Sequence, residues 1–432
     1  MQKEKKYFFC LDVIRLVSCI AILFYHLGIL KGGYLAVCTF FVLSGYLSCA
    51  SCFRKEKFSF FNYYKNKFLN IYLPLLVVSF LTVLIVPLFH NINWINLKPE
   101  TTSVIFGYNN FWQLNANLDY FAHHVDSPFM HFWYLGILMQ FDIVFPFVFF
   151  AFKKMGDKLN KLIPCILTLV LAILGAIYFY YASINHSLMV VYYNTFTRVF
   201  SLLFGVFLGF IHGYYKNIIP GVLKNKIVSI LIFSIYLILL ILAFITIQAS
   251  NKYFNIVMLL VTFISLRLVD YGTFIIKDKI NVFDKIIKYL SGISYEVYLV
   301  QYPVIFIVQY TSFKKNILIS ILITVILSCI IHFILDIKNK RYKYVRVPVF
   351  IVLMLITLFG GYKYVVSKDF TNEMKELEDT LNKNEEIMNQ KREEYLSRQQ
   401  QEQEEWNMAL EDLKKGEEDI KEYVSNLPII GV

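Results

Sequence analysis

An all-α bundle of membrane-spanning helices is the fold class this sequence predicts, and three observations carry it. Hydrophobic residues make up 57% of the 432 residues. They gather in runs of about twenty, the length that crosses the hydrocarbon core of a bilayer, instead of spreading at amphipathic spacing. Lys and Arg concentrate in alternate connections between those runs, the bias that distinguishes cytoplasmic loops. Beyond residue 367 the composition turns to Glu, Lys and Gln with no proline as far as residue 425, which predicts a solvated helix after the bundle.

About eleven spans follow from the apolar runs, near residues 9–30, 33–52, 71–90, 130–151, 161–183, 195–214, 227–248, 254–272, 288–311, 316–336 and 347–367. The first opens behind "MQKEKKYFF", which has the charged start of a signal peptide. Its apolar run is too long for one, holds Asp12 and Arg15 and lacks a small-residue cleavage site, so it reads as a retained span. With the N-terminus cytoplasmic, the inner connections hold 24 Lys and Arg and the outer ones five, Lys31, Lys98, Lys252, Lys314 and Lys315. An odd number of spans then places the tail outside the cell. Residues 1–367 carry net charge +20 and residues 368–432 net −9. The basic balance is therefore a topology signal and does not point to nucleic acid. Six of the seven cysteines lie inside spans and Cys52 at the inner end of one, which argues against structural disulfides. Cys49 and Cys52 form a C-x-x-C pair without partner cysteines or a βαβ context, so no metal set is read there.

Two domains are expected, a transmembrane one over 1–367 and a stalk or linker over 368–432. In the stalk Met374, Leu381, Met388 and Tyr395 recur every seven residues with Phe370 and Leu377 at complementary positions, and the pattern lapses through "SRQQQEQEEW". A long solvated helix is expected there in preference to a strict coiled coil. The closing "VSNLPIIGV" reads as the first strand of a further domain.

Ionisable residues inside the spans carry the functional argument, because each costs about 2.5–3.5 kcal/mol at a helix centre on insertion scales. They are Asp12, Arg15, His26, Asp142, Arg198, Arg267 and Glu296, with His131 and His332 near span ends. At about 100° per residue, Asp12, Arg15 and His26 share one stripe of the first helix, and Arg15 and His26 stand about 16 Å apart along it. Alternating span directions place Arg267 and Glu296 at the inner level of Asp12 and Arg15. Arg198, His131 and Tyr134 fall at the outer level of His26. Plain ion pairs, Asp12 with Arg15 and Arg267 with Glu296, would account for the inner set. An interfacial aromatic belt would account for Trp133 and Tyr134.

"LDVIRLVSCIAILFYH", with ten residues between Arg15 and His26, resembles the R-x10-H motif of the acyltransferase-3 family of integral membrane acyltransferases, and Asp12 matches its preceding acidic residue. "GGYLAVCTFFVLSGYL", which contains Ser44, is similar to the family's G-G-x-x-x-V-x-x-F-F-V-L-S-G stretch. "HFWYLGILMQF", from His131 through Trp133, Tyr134 and Gln140, resembles its H-x-W-Y-L segment. "TRVFSLLFGVFLG" at Arg198 and "SGISYEVYLVQYPVI" also match, so the likeness runs in order over about residues 8–340. Departures are Leu138 and Met139 where many members have a Glu, Asp142 where an aromatic is usual, and Asn70 where an arginine is expected.

The resemblance implies an enzyme, an O-acetyltransferase that takes acetyl from cytoplasmic acetyl-CoA and passes it to an extracytoplasmic glycan. Catalytic candidates are His26, Arg15 and Asp12, with His26 as general base. Arg15 and Arg267 are candidates for binding the anionic donor. Tyr134, His131, Trp133, Gln140, Arg198 and Ser44 are candidates for the acceptor or for acyl transfer. The eleven spans and outer stalk resemble two-module peptidoglycan O-acetyltransferases, in which an SGNH-type domain follows. Teichoic acid or capsule are alternative acceptors. A transporter with buried charges is the rival class, and acetyl-CoA hydrolysis by the purified protein would separate the two.

Overall fold

The computed structural model describes residues 7–55, 58–88, 97–116, 120–121, 127–215, 225–249, 253–277, 280–313, 316–335, 348, 351–352, 355 and 371–426. The chain separates into two compact units, Met1–Val365 and Val366–Val432. Among the described residues there is no β-strand, and a single bridge joins Tyr7 to Lys277.

The first unit is a helix bundle. Its elements are α1 (Phe9–His26), α2 (Ala36–Phe53), α3 (Phe60–Lys67), α4 (Leu73–Ile85), α5 (Leu97–Ile105), α6 (Asn109–Asn115), α7 (Trp133–Lys158) and α8 (Leu162–Asn185). They are followed by α9 (Leu188–Tyr193), α10 (Thr195–Tyr215), α11 (Lys226–Thr246), α12 (Phe254–Gly272), α13 (Val282–Val308) and α14 (Ile317–Leu335). Ten helical segments among the described residues are long and apolar enough to cross a membrane. They coincide with the first ten expected spans. The third begins earlier than its apolar run, because α3 continues through a five-residue π-helical turn, Phe68–Tyr72, into α4. The expected eleventh span, 347–367, lies outside the described residues apart from 348, 351, 352 and 355.

Local chemistry fixes the helix ends. Gly28 follows α1 at φ +74°, the left-handed conformation that closes a helix and that a side chain disfavours. Ser59, Asn225 and Asn281 cap α3, α11 and α13 with side-chain oxygens, and Asp284 completes a capping box at the last. Pro74 lies in the first turn of α4, directly after the π-helical turn.

Packing follows residue size. In α10, Ser201, Gly205, Gly209 and Gly213 stand four apart on one face, and this face meets α2. A Cβ on Gly205 would come within 2.1 Å of the Val42 carbonyl oxygen, and one on Gly45 within 2.1 Å of that of Leu202. Small residues are what allow two membrane helices to approach so closely. The opposite condition holds on the faces of α8, α11 and α14. There Ile166, Val170, Leu174, Leu231, Ile235 and Leu322 are exposed, apolar surface that suits lipid.

In the second unit α15 (Thr371–Ser425) is one 55-residue helix, continuous through "SRQQQEQEEW". Leu381, Met388 and Tyr395 of the seven-residue pattern are exposed. The expected strand at the C-terminus lies outside the described residues.

Candidate functional site

Asp12 and Arg15 face α13, one helical turn apart. Arg15 Nη1 donates to Asp12 Oδ1 at 3.2 Å and to Ser291 Oγ at 3.2 Å, and Ser291 donates to Asp12 at 2.9 Å. The guanidinium is a third exposed and borders a cavity of about 370 Å³. Ser44, Asn70, Tyr134, Tyr295 and Tyr298 also line it. Ser44 and Tyr134 share a hydrogen bond of 3.2 Å.

A second cavity of about 560 Å³ adjoins the first. Both are lined by Ser44, Leu47, Asn70 and Ile71. The π-helical turn presents Asn70 and Ile71 to both, as such turns do at functional sites. Arg54, Lys55 and Lys67 make the second cavity basic. Lys67 is held there by Asp142 at 2.7 Å and by Ser48 Oγ at 2.9 Å. Asp142 is 1% exposed and also accepts from the Tyr63 hydroxyl at 2.9 Å and the Tyr72 hydroxyl at 3.1 Å. An ion pair this deep survives because both carboxylate oxygens accept hydrogen bonds besides facing the cation.

His26 stands at the far end of α1, apart from Asp12 and Arg15. Its Nε2 is 2.8 Å from the Tyr120 hydroxyl. Its ring meets Tyr302 edge to face at 4.8 Å and lies 6.0 Å from that of His131. His131 is buried, stacks on Tyr302 at 5.0 Å, and its ring nitrogens have no hydrogen-bond partner among the described residues. The Tyr298 hydroxyl donates to the His131 carbonyl, so Tyr298 is common to the Arg15 cavity and the His26 group. The structure thus brings Arg15, Ser44 and Tyr134 together around one cavity, with Asp12 hydrogen-bonded to Arg15, and sets His26 beside His131 in a separate aromatic group.

The remaining candidates lie elsewhere. Arg198 is fully buried, with its guanidinium 5.0 Å from the Tyr192 ring, 5.8 Å from Phe41 and 5.9 Å from Trp133. Trp133 and Tyr134 are 1% and 6% exposed, so they belong to the interior and not to an interfacial belt. Gln140 Nε2 donates to Gly107 O and Asn110 Oδ1, and its Oε1 accepts from Thr195. It binds helices to one another. Arg267 and Glu296 do not pair. Arg267 meets Asp270 at 3.0 Å and the Tyr271 hydroxyl at 2.7 Å, outside both cavities, while Glu296 meets His332 at 3.0 Å. Their helices take different main neighbours, α13 packing chiefly on α1 and α14 and α12 chiefly on α11 and α2.

Three groups escaped the reading of the sequence. Tyr120 comes from the connection between α6 and α7, 94 residues from His26, and no spacing announces it. Asp142 stood out only as a departure from the family pattern, and its pairing with Lys67 is tertiary. Glu100, in α5 between spans, is buried and accepts from Gln113 at 2.8 Å and from Ser127. Burial pushes its carboxyl up to about 7.

The family model described as an acyltransferase domain, acyltransferase-3, matches residues 8–362. A Staphylococcus aureus (strain COL) protein whose name places it among O-acetyltransferases is 30% identical over 318 residues, 70% of this chain and 51% of its own. O-acetyltransferase OatA of Staphylococcus aureus (strain NCTC 8325 / PS 47) is 31% identical over 208 residues, 46% of this chain and 34% of its own. The chain spans about half the length of the first of these relatives. No solved structure matches it. On the family match across its bundle, the chain belongs to the acyltransferase-3 family and is a multi-pass membrane protein.

Proposed function

We propose that the chain is the membrane module of an O-acetyltransferase that takes acetyl from acetyl-CoA at the cytoplasmic face and delivers it to an extracytoplasmic hydroxyl. Peptidoglycan is the leading acceptor, directly or through a following SGNH-type domain. The observation that carries this reading is the pair of adjoining cavities. They lead from Arg54, Lys55 and Lys67 to Arg15 and Tyr134. The Lys and Arg content of the loop at the basic mouth supports a cytoplasmic location for it and for the N-terminus, and with an eleventh span over 347–367 the tail would be extracytoplasmic.

The geometry suits a long anionic donor. Cations at the mouth would take the phosphates, and the narrower inner cavity would take the pantetheine arm. The Arg15 guanidinium can orient or stabilise negative charge. Asp12 and Ser291 keep it in place. Tyr134, at the end of this path, is the candidate acyl carrier, since its hydroxyl is held by Ser44 within the cavity. The His26 imidazole offers a ring nitrogen, Nε2, that can take a proton. It acts as general base: the acceptor oxygen attacks the acyl carbonyl carbon, its proton passes towards His26, and the bond to the leaving group breaks.

Purified protein incubated with isotopically labelled acetyl-CoA tests the reading by mass spectrometry. Labelled acetyl should reach an added soluble peptidoglycan fragment. His26→Ala should lose at least about a hundredfold in transfer rate with acetyl-CoA affinity unchanged. Transport of a solute with no acetyl-CoA turnover would establish the rival class instead.

A further inference from the structure

We propose that Tyr120 is a further catalytic residue, a proton relay that stands between the acceptor hydroxyl and His26. This rests on the reading of His26 as the base. Tyr120 is 5% exposed, and its hydroxyl lies 2.8 Å from His26 Nε2. Its ring is fixed by Tyr25 at 5.7 Å, Tyr192 at 5.2 Å, Phe121 at 5.7 Å and Trp133 at 6.2 Å. A phenol packed on so many sides does not swing away to free Nε2, so the shortest route for a proton to that nitrogen runs through Tyr120 Oη.

The transfer balances. Neutral His26 begins with its proton on Nδ1 and its Nε2 lone pair accepting from Tyr120. As the acceptor oxygen bonds to the acyl carbon, its proton moves to Tyr120 Oη while the phenol's own proton moves to Nε2. The leaving group departs with the electron pair of the broken bond and recovers a proton from the imidazolium. Tyr120 ends as it began. Burial holds its phenol well above its ordinary range, so a free phenolate is disfavoured and the two protons move together. Tyr120 belongs to the connection between α6 and α7. Gln113 before it and Ser127 after it both donate to the buried Glu100.

The test measures release of CoA thiol with a soluble peptidoglycan fragment as acceptor. Tyr120→Phe should lower kcat by about a hundredfold and leave acetyl-CoA affinity by calorimetry unchanged. In the native protein the rate plotted against deuterium fraction of the solvent should bow, as two protons in flight require, and in Tyr120→Phe it should straighten. Replacing Tyr120 by a fluorinated tyrosine keeps the shape of the ring, which covers the case in which the Phe variant does not fold. It should move the alkaline limb of the rate profile to lower pH. A straight plot for the native protein, or near wild-type turnover of Tyr120→Phe beside an inactive His26→Ala, overturns the relay alone. Near wild-type turnover of His26→Ala overturns the base assignment and the relay with it.

Discussion

Glu100 is a buried carboxylate that takes its hydrogen bonds from Gln113 and Ser127, with no cation in contact among the described residues. Its folded-state pKa of about 7 lies above the ordinary 4.5, so the folded protein binds this proton more tightly than the unfolded chain does. The stabilisation is fully present below about pH 4.5 and is lost as pH rises through 7, on the order of 3 kcal/mol in all. Glu100→Gln should therefore remove a fall in melting temperature that the native protein shows between pH 5 and 8. Parallel curves for the two proteins would contradict the assignment. At this scale legibility in the sequence depended on whether partners share a helix. Asp12 and Arg15 are one turn apart, and their pairing follows from helical period. Arg267 and Glu296 stand on helices with different neighbours, and helix neighbours are not written in spacing. Tyr120 was invisible because a loop tyrosine among 31 tyrosines carries no periodic signal.

Among the helices, α2 and α10 make the contact most sensitive to size. Gly205→Ala places a methyl carbon against the Val42 carbonyl and the Tyr46 amide, 2.1 and 2.8 Å away. Backbone cannot yield as a flexible side chain can, so a loss of about 1–3 kcal/mol is expected, read as a lower melting temperature in detergent. Gly416→Ala is the contrasting case. Nothing stands within 4 Å of its Cβ position in α15, and an exposed helix interior gains about 1 kcal/mol from the exchange. A rise in the helicity of α15 on heating and an unchanged bundle are expected. The reverse order of effects would refute the packing described for the two helices. The spans themselves were legible because bilayer thickness demands runs of about twenty apolar residues. The π-helical turn that sets Asn70 at the junction of the two cavities was not, since a one-residue widening of a helix leaves no mark in composition.

For the molecule as a whole, hydropathy and charge asymmetry predicted the bundle. The family motifs brought the eye to Arg15, Ser44, Tyr134 and His26. Span directions already set Arg15 at an inner level and His26 with His131 at an outer one; the structure moves Tyr134 from the outer set to the cavity of Arg15 and Ser44 and adds the basic mouth. The stripe on α1 joins them: Arg15 faces the cavity that Ser44 and Tyr134 also line and His26, eleven residues on, the Tyr120 hydroxyl. The central claim is that acetyl enters from the side of Arg54, Lys55 and Lys67 and leaves from the side of His26. Sealed vesicles of known orientation measure this directly, with labelled acetyl-CoA and a peptidoglycan fragment supplied on opposite sides. Labelled acetyl should appear on the fragment only when acetyl-CoA is on the face bearing the basic mouth. Equal labelling with acetyl-CoA on either face, or labelling only from the face of His26, would contradict the account.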